Sequence, residues 1–193
     1  MAPTFTVTML DVGWGDSIFL HTIDSNDKHH FALIDSNDTK YLQSSRIFLR
    51  KFFRHHQHYE GILSKPFFDF VLLSHNHADH RSGLENIMRE FGTKYFWYPH
   101  SKRTPSLGRI LDFATRETEK YIGSIEDHES IKYLGCIENH EAIEVGKPLP
   151  KFGDVEMKIL WPPEGLDYEN ETTNNTSVVL SMKLGKWSVV LTL

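Results

Sequence analysis

Strict alternation of apolar and polar positions opens the chain. Phe5, Val7 and Met9 alternate with threonines, and β-branched residues favour extended backbone, so this pattern predicts a first strand. Two more strands are predicted at 17–23 and 29–35, separated by a polar loop that is typical of a hairpin. The chain is therefore expected to begin as an antiparallel sheet.

The hydrophobic period changes to that of a helix between Tyr41 and His58. An aromatic face predicts that this helix packs against the sheet. A stripe of three arginines lies along another face, and a solvated basic surface is the favoured interpretation, with phosphate contact as the alternative. These arginines are Arg46, Arg50 and Arg54.

A nearly continuous apolar run at 65–74 is typical of a strand covered on both faces. A helix is predicted at 84–91, because its apolar residues recur at helical spacing and Gly92 follows as a C-cap. A further strand is predicted at 94–99. Strands that alternate with helices in this way predict the α/β class.

The composition becomes polar at 100–150, and this segment is interpreted as an insertion on the same domain, with one helix around 107–121. A strand at 155–163 and a hairpin turning at Gly185 end the chain. With 193 residues, of which 39% are hydrophobic, the chain has enough apolar mass for one core, and we expect a single domain at 1–193.

Composition excludes several classes of protein. A formal charge of -5 argues against nonspecific coating of nucleic acid, although it does not exclude an enzyme that cuts it. One cysteine, Cys136, excludes an internal disulfide framework and a zinc site built from paired thiolates. No apolar stretch approaches the roughly 20 residues that span a bilayer, and the first residues lack the pattern of a secretory signal. We expect a cytoplasmic protein without a membrane partner.

The segment VLLSHNHADHRSG, at 71–83, concentrates metal-binding side chains directly behind the buried strand. Imidazole and carboxylate ligands suit divalent zinc or manganese. Four such groups within six residues would crowd one ion, so the spacing favours two adjacent metal ions. The candidate ligands are His75, His77, Asp79 and His80.

This motif resembles the defining signature of the metallo-β-lactamase superfamily. Two other segments narrow the resemblance: LDVGWGDSIFL is similar to the DVGQGD strand of the hydrolase domain attached to the ComEC competence channel, and NNTSVVL is similar to its NNxSLVL. ALIDSND is similar to the LIDTG of the superfamily. The resemblance implies a four-layer αββα sandwich, of which this chain would supply the first ββα half and the opening strands of the second.

The resemblance assigns roles residue by residue. It implies His75 and His77 on the first metal and Asp79 and His80 on the second, with Asp79 also orienting the attacking water as the catalytic residue. It further implies that Asp35 orients the loop at 74–80, which we call the histidine loop.

The resemblance places two more aspartates, Asp11 and Asp16, at the floor of the site. The alternative for both is ordinary turn chemistry around the neighbouring glycines. Trp14 departs from the glutamine that is usual in the family, which leaves the role of this turn open.

Asn174, Asn175 and Ser177 stand where lactamase-like members have another histidine ligand. Asparagine is a poor metal ligand but a good hydrogen-bond partner for phosphate, so these residues favour a phosphodiester substrate. The alternative is that the asparagines form a turn.

The family continues from the last strand into an aspartate that bridges the metals and a later histidine. Because the sequence stops at Leu193, we expect a fragment that is weak or inactive alone. We also expect that a missing C-terminal segment or a protein partner covers its open half.

The leading functional hypothesis is a metal-dependent phosphodiesterase that cleaves DNA or RNA with two Zn²⁺ or Mn²⁺ ions. The resemblance makes soluble members candidates for accessory nucleases, including effectors of antiviral defence. One alternative is hydrolysis of a small molecule, such as a cyclic nucleotide, a thioester or a lactam. A catalytically silent binding or regulatory subunit is the alternative from another class.

Overall fold

Two sheets and four α-helices make up the part of the chain that the computed structural model describes, which is residues 2–55, 68–100, 104–126, 136–168 and 170–193. The strands are β1 (Thr4–Met9), β2 (Ile18–Ile23), β3 (His29–Ile34), β4 (Phe68–Leu72), β5 (Thr93–Pro99), β6 (Ile137–Ile143), β7 (Glu156–Trp161), β8 (Val179–Leu184) and β9 (Trp187–Thr192). The helices are α1 (Ser44–His55), α2 (Ala78–Arg81), α3 (Leu84–Phe91) and α4 (Pro105–Glu126).

The larger sheet has six strands in the order β1-β2-β3-β4-β5-β6. Its first three strands pair antiparallel, as the sequence predicts, and β3 to β6 pair parallel. The smaller sheet is an antiparallel arrangement of β7, β8 and β9. The chain is therefore a mixed α/β protein.

Alternation along the strands gives the larger sheet two buried faces. Phe19 and Leu33 belong to a core shared with α1, α3 and α4. Their neighbours Leu20 and Ile34 belong to a second core, shared with β7, β8 and β9. Helices, the six-stranded sheet and the three-stranded sheet thus form three successive layers.

The polar segment at 100–150 contributes to both the helical layer and the larger sheet. Leu107, Ile110 and Phe113 of α4 are buried in the core, and Ile137 of β6 is completely buried. Strand β6 pairs parallel with β5 along its whole length. A polar average composition thus coexists with one continuous apolar face on α4.

Tertiary hydrogen bonds set the boundaries that periodicity alone misjudges. The helix predicted at 41–58 begins at Ser44, because the Asp38 carboxylate accepts hydrogen bonds from the backbone N–H groups of Ser45 and Arg46. Its predicted end, beyond His55, lies outside the described residues.

The strand predicted at 65–74 is observed at Phe68–Leu72, and its first three predicted positions lie outside the described residues. Within the described ranges, no helix combines the length and apolar character needed to cross a bilayer.

Candidate active site

The histidine loop lies at the C-terminal edge of the parallel part of the larger sheet. It follows β4 directly, and Asp35 follows β3, which pairs parallel with β4. Because carboxyl ends of parallel strands meet at one edge, the two segments lie side by side. The amide of Asp35 donates to the carbonyl of Leu72, and the amide of Ser36 donates to the carbonyl of His80 at 2.8 Å.

Asp35 organises the histidine loop from beneath. Its side chain is fully buried, and its backbone has a φ of 57°, a left-handed conformation that costs a non-glycine residue roughly 1–3 kcal/mol. The carboxylate accepts hydrogen bonds from the Ser74 amide at 2.7 Å, from the Ser74 hydroxyl, and from His80 Nδ1 at 2.8 Å. Burial nonetheless raises the pKa of the Asp35 carboxyl against the effect of these three donors, which fix the orientation of the His80 ring.

The hydrogen-bond network determines which ring nitrogens carry lone pairs. Since the Ser74 hydroxyl donates to Asp35, its oxygen accepts from His75 Nδ1, which lies 3.0 Å away. The lone pair of His75 is then on Nε2, which lies 3.1 Å from Nδ1 of His77. Likewise, the bond from His80 Nδ1 to Asp35 leaves Nε2 as the other ring nitrogen, 3.7 Å from Asp79 Oδ2.

Burial keeps His75 in the form that can bind metal. Burial, followed by the neighbouring rings of His80 and His77, lowers the pKa of His75 to about 4. The imidazole is therefore neutral at pH 7, as a ligand must be. Burial also acts to lower the pKa of His80, but the Asp35 carboxylate and the charges of Asp79 and Asp16 outweigh it and raise that pKa.

Two further carboxylates lie near the His80 ring, one beside each ring nitrogen. Asp79 Oδ2 is 3.7 Å from His80 Nε2, and Asp16 Oδ2 is 4.0 Å from His80 Nδ1. The rings of His75 and His80 have centroids 3.9 Å apart. The structure therefore brings together His75, His77, Asp79, His80, Asp16 and Asp35, all of which the sequence singles out.

The chemistry of these donors fits a divalent metal ion, although their geometry falls short of a formed site. Two nitrogens bound to one tetrahedral zinc lie roughly 3.3 Å apart, close to the 3.1 Å between His75 Nε2 and His77 Nδ1. The hydrogen bond of His80 to Asp35 is the carboxylate support that metal-bound histidines usually have. Among the described residues, however, no group of three or more His, Cys, Asp or Glu side chains is arranged to hold an ion.

The loop between β1 and β2 packs onto Asp79 through a glycine. A Cβ at Gly15 would lie 2.2 Å from the carbonyl oxygen of Asp79, and Gly15 has a φ of 88°. Only glycine permits this approach. For Asp11, the alternative to a role in the site was an ordinary turn contact. The structure shows such a contact, since the Asp11 carboxylate accepts a hydrogen bond from the Gly13 amide at 3.2 Å.

The asparagine segment reaches the histidine loop through its backbone. The amide of Val178 donates to the carbonyl of Ser74 at 2.9 Å, and the adjacent Ser177 is buried. Asn174 and Asn175 are exposed in a short 3-10 helix, and the Asn175 side chain donates to Glu171 at 2.8 Å. Their arrangement is that of a turn, next to the site but with the Asn175 amide already engaged.

Sequence reasoning overlooked Ser74 and two arginines. Ser74 is the hub that joins Asp35 to His75, and its position directly before the histidine motif was the signal. Arg81 follows His80, and its buried Nε has no hydrogen-bond partner among the described residues. Burial and the proximity of Arg109, on α4, lower the pKa of Arg81, so two cations lie beside the histidine loop.

Two arginines of the α1 stripe pair with one carboxylate, so this face is not simply the solvated basic surface that was expected. Arg46 Nη2 lies 2.9 Å from Glu90 Oε2, and Arg50 also pairs with Glu90. A shared carboxylate therefore neutralises part of this surface.

The chain was compared with protein-family models and with curated proteins. No protein-family model matches the chain, and no curated protein matches it.

Proposed function

We propose that this protein is a metal-dependent hydrolase that cleaves phosphodiester bonds in DNA or RNA. The observation that carries the proposal is the histidine loop: neutral His75 and the Asp35-oriented His80 lie with His77 and Asp79 at the C-terminal edge of parallel strands. Open α/β sheets bind their ligands at this edge. For the fold, we propose a metallo-β-lactamase-like four-layer sandwich, which the helical layer and the two stacked sheets support. For the location, we propose the cytoplasm.

In this proposal, His75 and His77 hold one cation and Asp79 and His80 hold a second, with Zn²⁺ or Mn²⁺ as the candidates. Such cations would withdraw charge from the scissile phosphate and activate a water molecule. Asp35 holds the His80 ring through Nδ1, which leaves Nε2 for the cation. Asp79, which is partly exposed, would also orient the attacking water.

A phosphodiester is favoured over a lactam or thioester by the cations beside the loop. Arg81 carries an N–H donor that lacks a partner among the described residues, and Arg109 adds a second positive charge. Planar guanidinium groups recognise phosphate oxygens through paired hydrogen bonds.

The test is hydrolysis by the full-length protein, with manganese or zinc, of single-stranded DNA, RNA, a cyclic dinucleotide and the lactam nitrocefin. We expect turnover of DNA or RNA. The double substitution His77→Ala with Asp79→Ala should reduce it at least about a hundredfold, because two ligands are lost. His30→Gln, which changes a buried histidine at the other edge of the sheet, is the matched control and should retain turnover per folded molecule.

Four results would contradict the proposal. Turnover of nitrocefin alone would indicate the lactam alternative, and turnover of the cyclic dinucleotide alone would indicate the small-molecule phosphodiesterase. Absence of all turnover in a metal-loaded protein would favour the silent binding subunit. Turnover that survives the double substitution would remove the histidine loop from the mechanism.

A further inference from the structure

The loop between β1 and β2 presents a tryptophan to solvent beside the histidine loop. Trp14 is 88% exposed, although burying an aromatic ring of this size would stabilise the protein. The neighbouring residues Asp11, Gly13, Gly15 and Asp16 are small or acidic. An exposed indole in such a loop is therefore unlike the apolar residues that pack in the two cores.

The position of Trp14 relative to the histidine loop is fixed by contacts on both sides. The backbone of Gly15 lies against the carbonyl of Asp79, where there is no space for a side chain. The carbonyl of Trp14 accepts a hydrogen bond from the Asn37 side chain, whose Oδ1 accepts another from the Ser82 hydroxyl at 3.1 Å. Because Ser82 follows α2 directly, Trp14 is tied to the helix that carries Asp79.

A second ring and a cation lie on the adjoining segment. Tyr41 is 92% exposed, and Lys40 Nζ lies 5.7 Å from its ring centroid. The following residue, Leu42, is the nearest side chain to Gly13. Two exposed aromatic rings with one ammonium group, on adjoining loops, are the combination with which proteins bind single-stranded nucleic acid.

The chemistry of the loop indicates which part of a nucleic acid Trp14 would meet. The carboxylates of Asp11 and Asp16 repel phosphate, so the Trp14 ring is not suited to contact with the phosphate backbone of a nucleic acid. Stacking on the face of a base requires no charge complementarity. A protein partner would need roughly 800 Å² of contact surface, whereas this loop offers one large ring among acidic residues and glycines.

We propose that Trp14 determines specificity for single-stranded nucleic acid. Its ring would stack on a nucleobase next to the phosphodiester that the histidine loop engages. The inference rests on the proposed nuclease function and names its substrate as single-stranded nucleic acid. It assigns Trp14 to binding and leaves the chemical step to the histidine loop.

The experiment compares two fluorescein-labelled probes of equal length and charge: a thymidine oligonucleotide and an abasic phosphodiester. Binding to the full-length protein is measured by anisotropy, with and without manganese. Stacking of one base is worth ~1–3 kcal/mol, so the wild-type protein should bind the thymidine probe at least about fivefold more tightly than the abasic one. Trp14→Ala should lose most of this difference, and Trp14→Phe should keep much of it.

Trp187→Ala is the matched control. Trp187 is 74% exposed and has Lys186 Nζ 5.3 Å from its ring, but it lies in the β8–β9 hairpin, outside the loop that packs on Asp79. This variant should bind both probes as the wild-type protein does. In hydrolysis assays, Trp14→Ala should raise KM for the thymidine substrate at least about fivefold and leave kcat within about twofold.

The outcomes separate this inference from the proposed function. Base-dependent binding that is lost in Trp14→Ala, without any hydrolysis, would support the stacking role and contradict the nuclease. Hydrolysis with unchanged base preference in Trp14→Ala would overturn the stacking role alone. Absence of binding to either probe would also overturn it, as would a wild-type dimer that dissociates in Trp14→Ala while base preference persists, since the ring would then serve a protein contact.

Discussion

Two buried clusters of histidine and aspartate lie at opposite edges of the larger sheet, and they differ in how their ring nitrogens are used. At the N-terminal edge of β3, His30 donates from Nδ1 to Asp69 at 2.9 Å and contacts Asp24 through Nε2 at 3.3 Å. Lys94 Nζ completes this cluster, 2.6 Å from Asp69. Both ring nitrogens of His30 therefore face a carboxylate.

The cluster at the C-terminal edge uses its nitrogens differently. Ring nitrogens of His75 and His77 face one another, and His80 hydrogen-bonds to a carboxylate through Nδ1 alone, with Asp79 Oδ2 3.7 Å from its Nε2. The electrostatics diverge accordingly: the hydrogen bond to Asp69 raises the pKa of His30 against the effect of burial, whereas burial lowers that of His75 to about 4. His30 is held between two carboxylates, whereas the hydrogen bond between His75 and His77 joins two nitrogens that a cation could bridge once the shared proton is released.

The largest difference between the clusters should appear when their supporting glycines are substituted. Gly15→Ala places a Cβ 2.2 Å from the Asp79 carbonyl oxygen and strains a backbone with φ of 88°. Gly153→Ala, beside His30, meets only side-chain atoms at 3.1 Å or more, at a φ of 58°. We expect destabilisation of about 2–5 kcal/mol for Gly15→Ala and about 1–2 kcal/mol for Gly153→Ala, measured by urea unfolding.

A further part of that prediction concerns metal. Gly15→Ala displaces Asp79 and should weaken metal binding, whereas Gly153→Ala should leave it unchanged. Equal effects of the two substitutions on both stability and metal affinity would erase the distinction between the clusters.

The second prediction replaces one carboxylate in each cluster by an amide. Asp35→Asn removes the charge that orients His80 and should lower metal affinity about 10–100-fold, as is usual for a residue that supports a metal ligand. Asp69→Asn should leave metal affinity unchanged, because Asp69 bonds to His30 and Lys94 at the other edge. Isothermal titration with zinc measures both, and a loss of affinity in Asp69→Asn as large as in Asp35→Asn would contradict the comparison.

The smallest prediction uses pH. A histidine whose pKa is raised on folding stabilises the protein fully below its unfolded pKa, and this contribution is lost as pH rises through the folded pKa. The unfolded value is about 6.5. The destabilisation caused by His30→Gln should therefore be larger at pH 5.5 than at pH 9. A destabilisation that grows with pH would show that His30 is buried neutral.

The three antiparallel strands and the helix at Leu84–Phe91 were predictable, because their apolar residues follow the periods of two and 3.6. The start of α1 was not, since it depends on the carboxylate of Asp38, which is distant from the apolar pattern. Helix α4 begins at Pro105, before the predicted 107, because the Thr104 hydroxyl caps it by accepting from the Leu107 amide, and it continues to Glu126, beyond the predicted 121.

The residues of the candidate site were predictable from the sequence, whereas the contacts that join them were not. The spacing of His75, His77, Asp79 and His80 stands out in the sequence. The bonds of Ser74 and the packing of Gly15 against Asp79 join segments that are distant along the chain. Such contacts depend on which strands become neighbours, and periodicity carries no such information.

The most direct test of the account is the metal content of the full-length protein. The protein and its His77→Ala, Asp79→Ala double variant are incubated with zinc or manganese, desalted, and measured by elemental analysis. The account predicts about two ions per wild-type chain and a large loss in the double variant, with His30→Gln retaining the wild-type content. A wild-type protein that retains no metal, or a double variant that retains as much as the wild type, would contradict it.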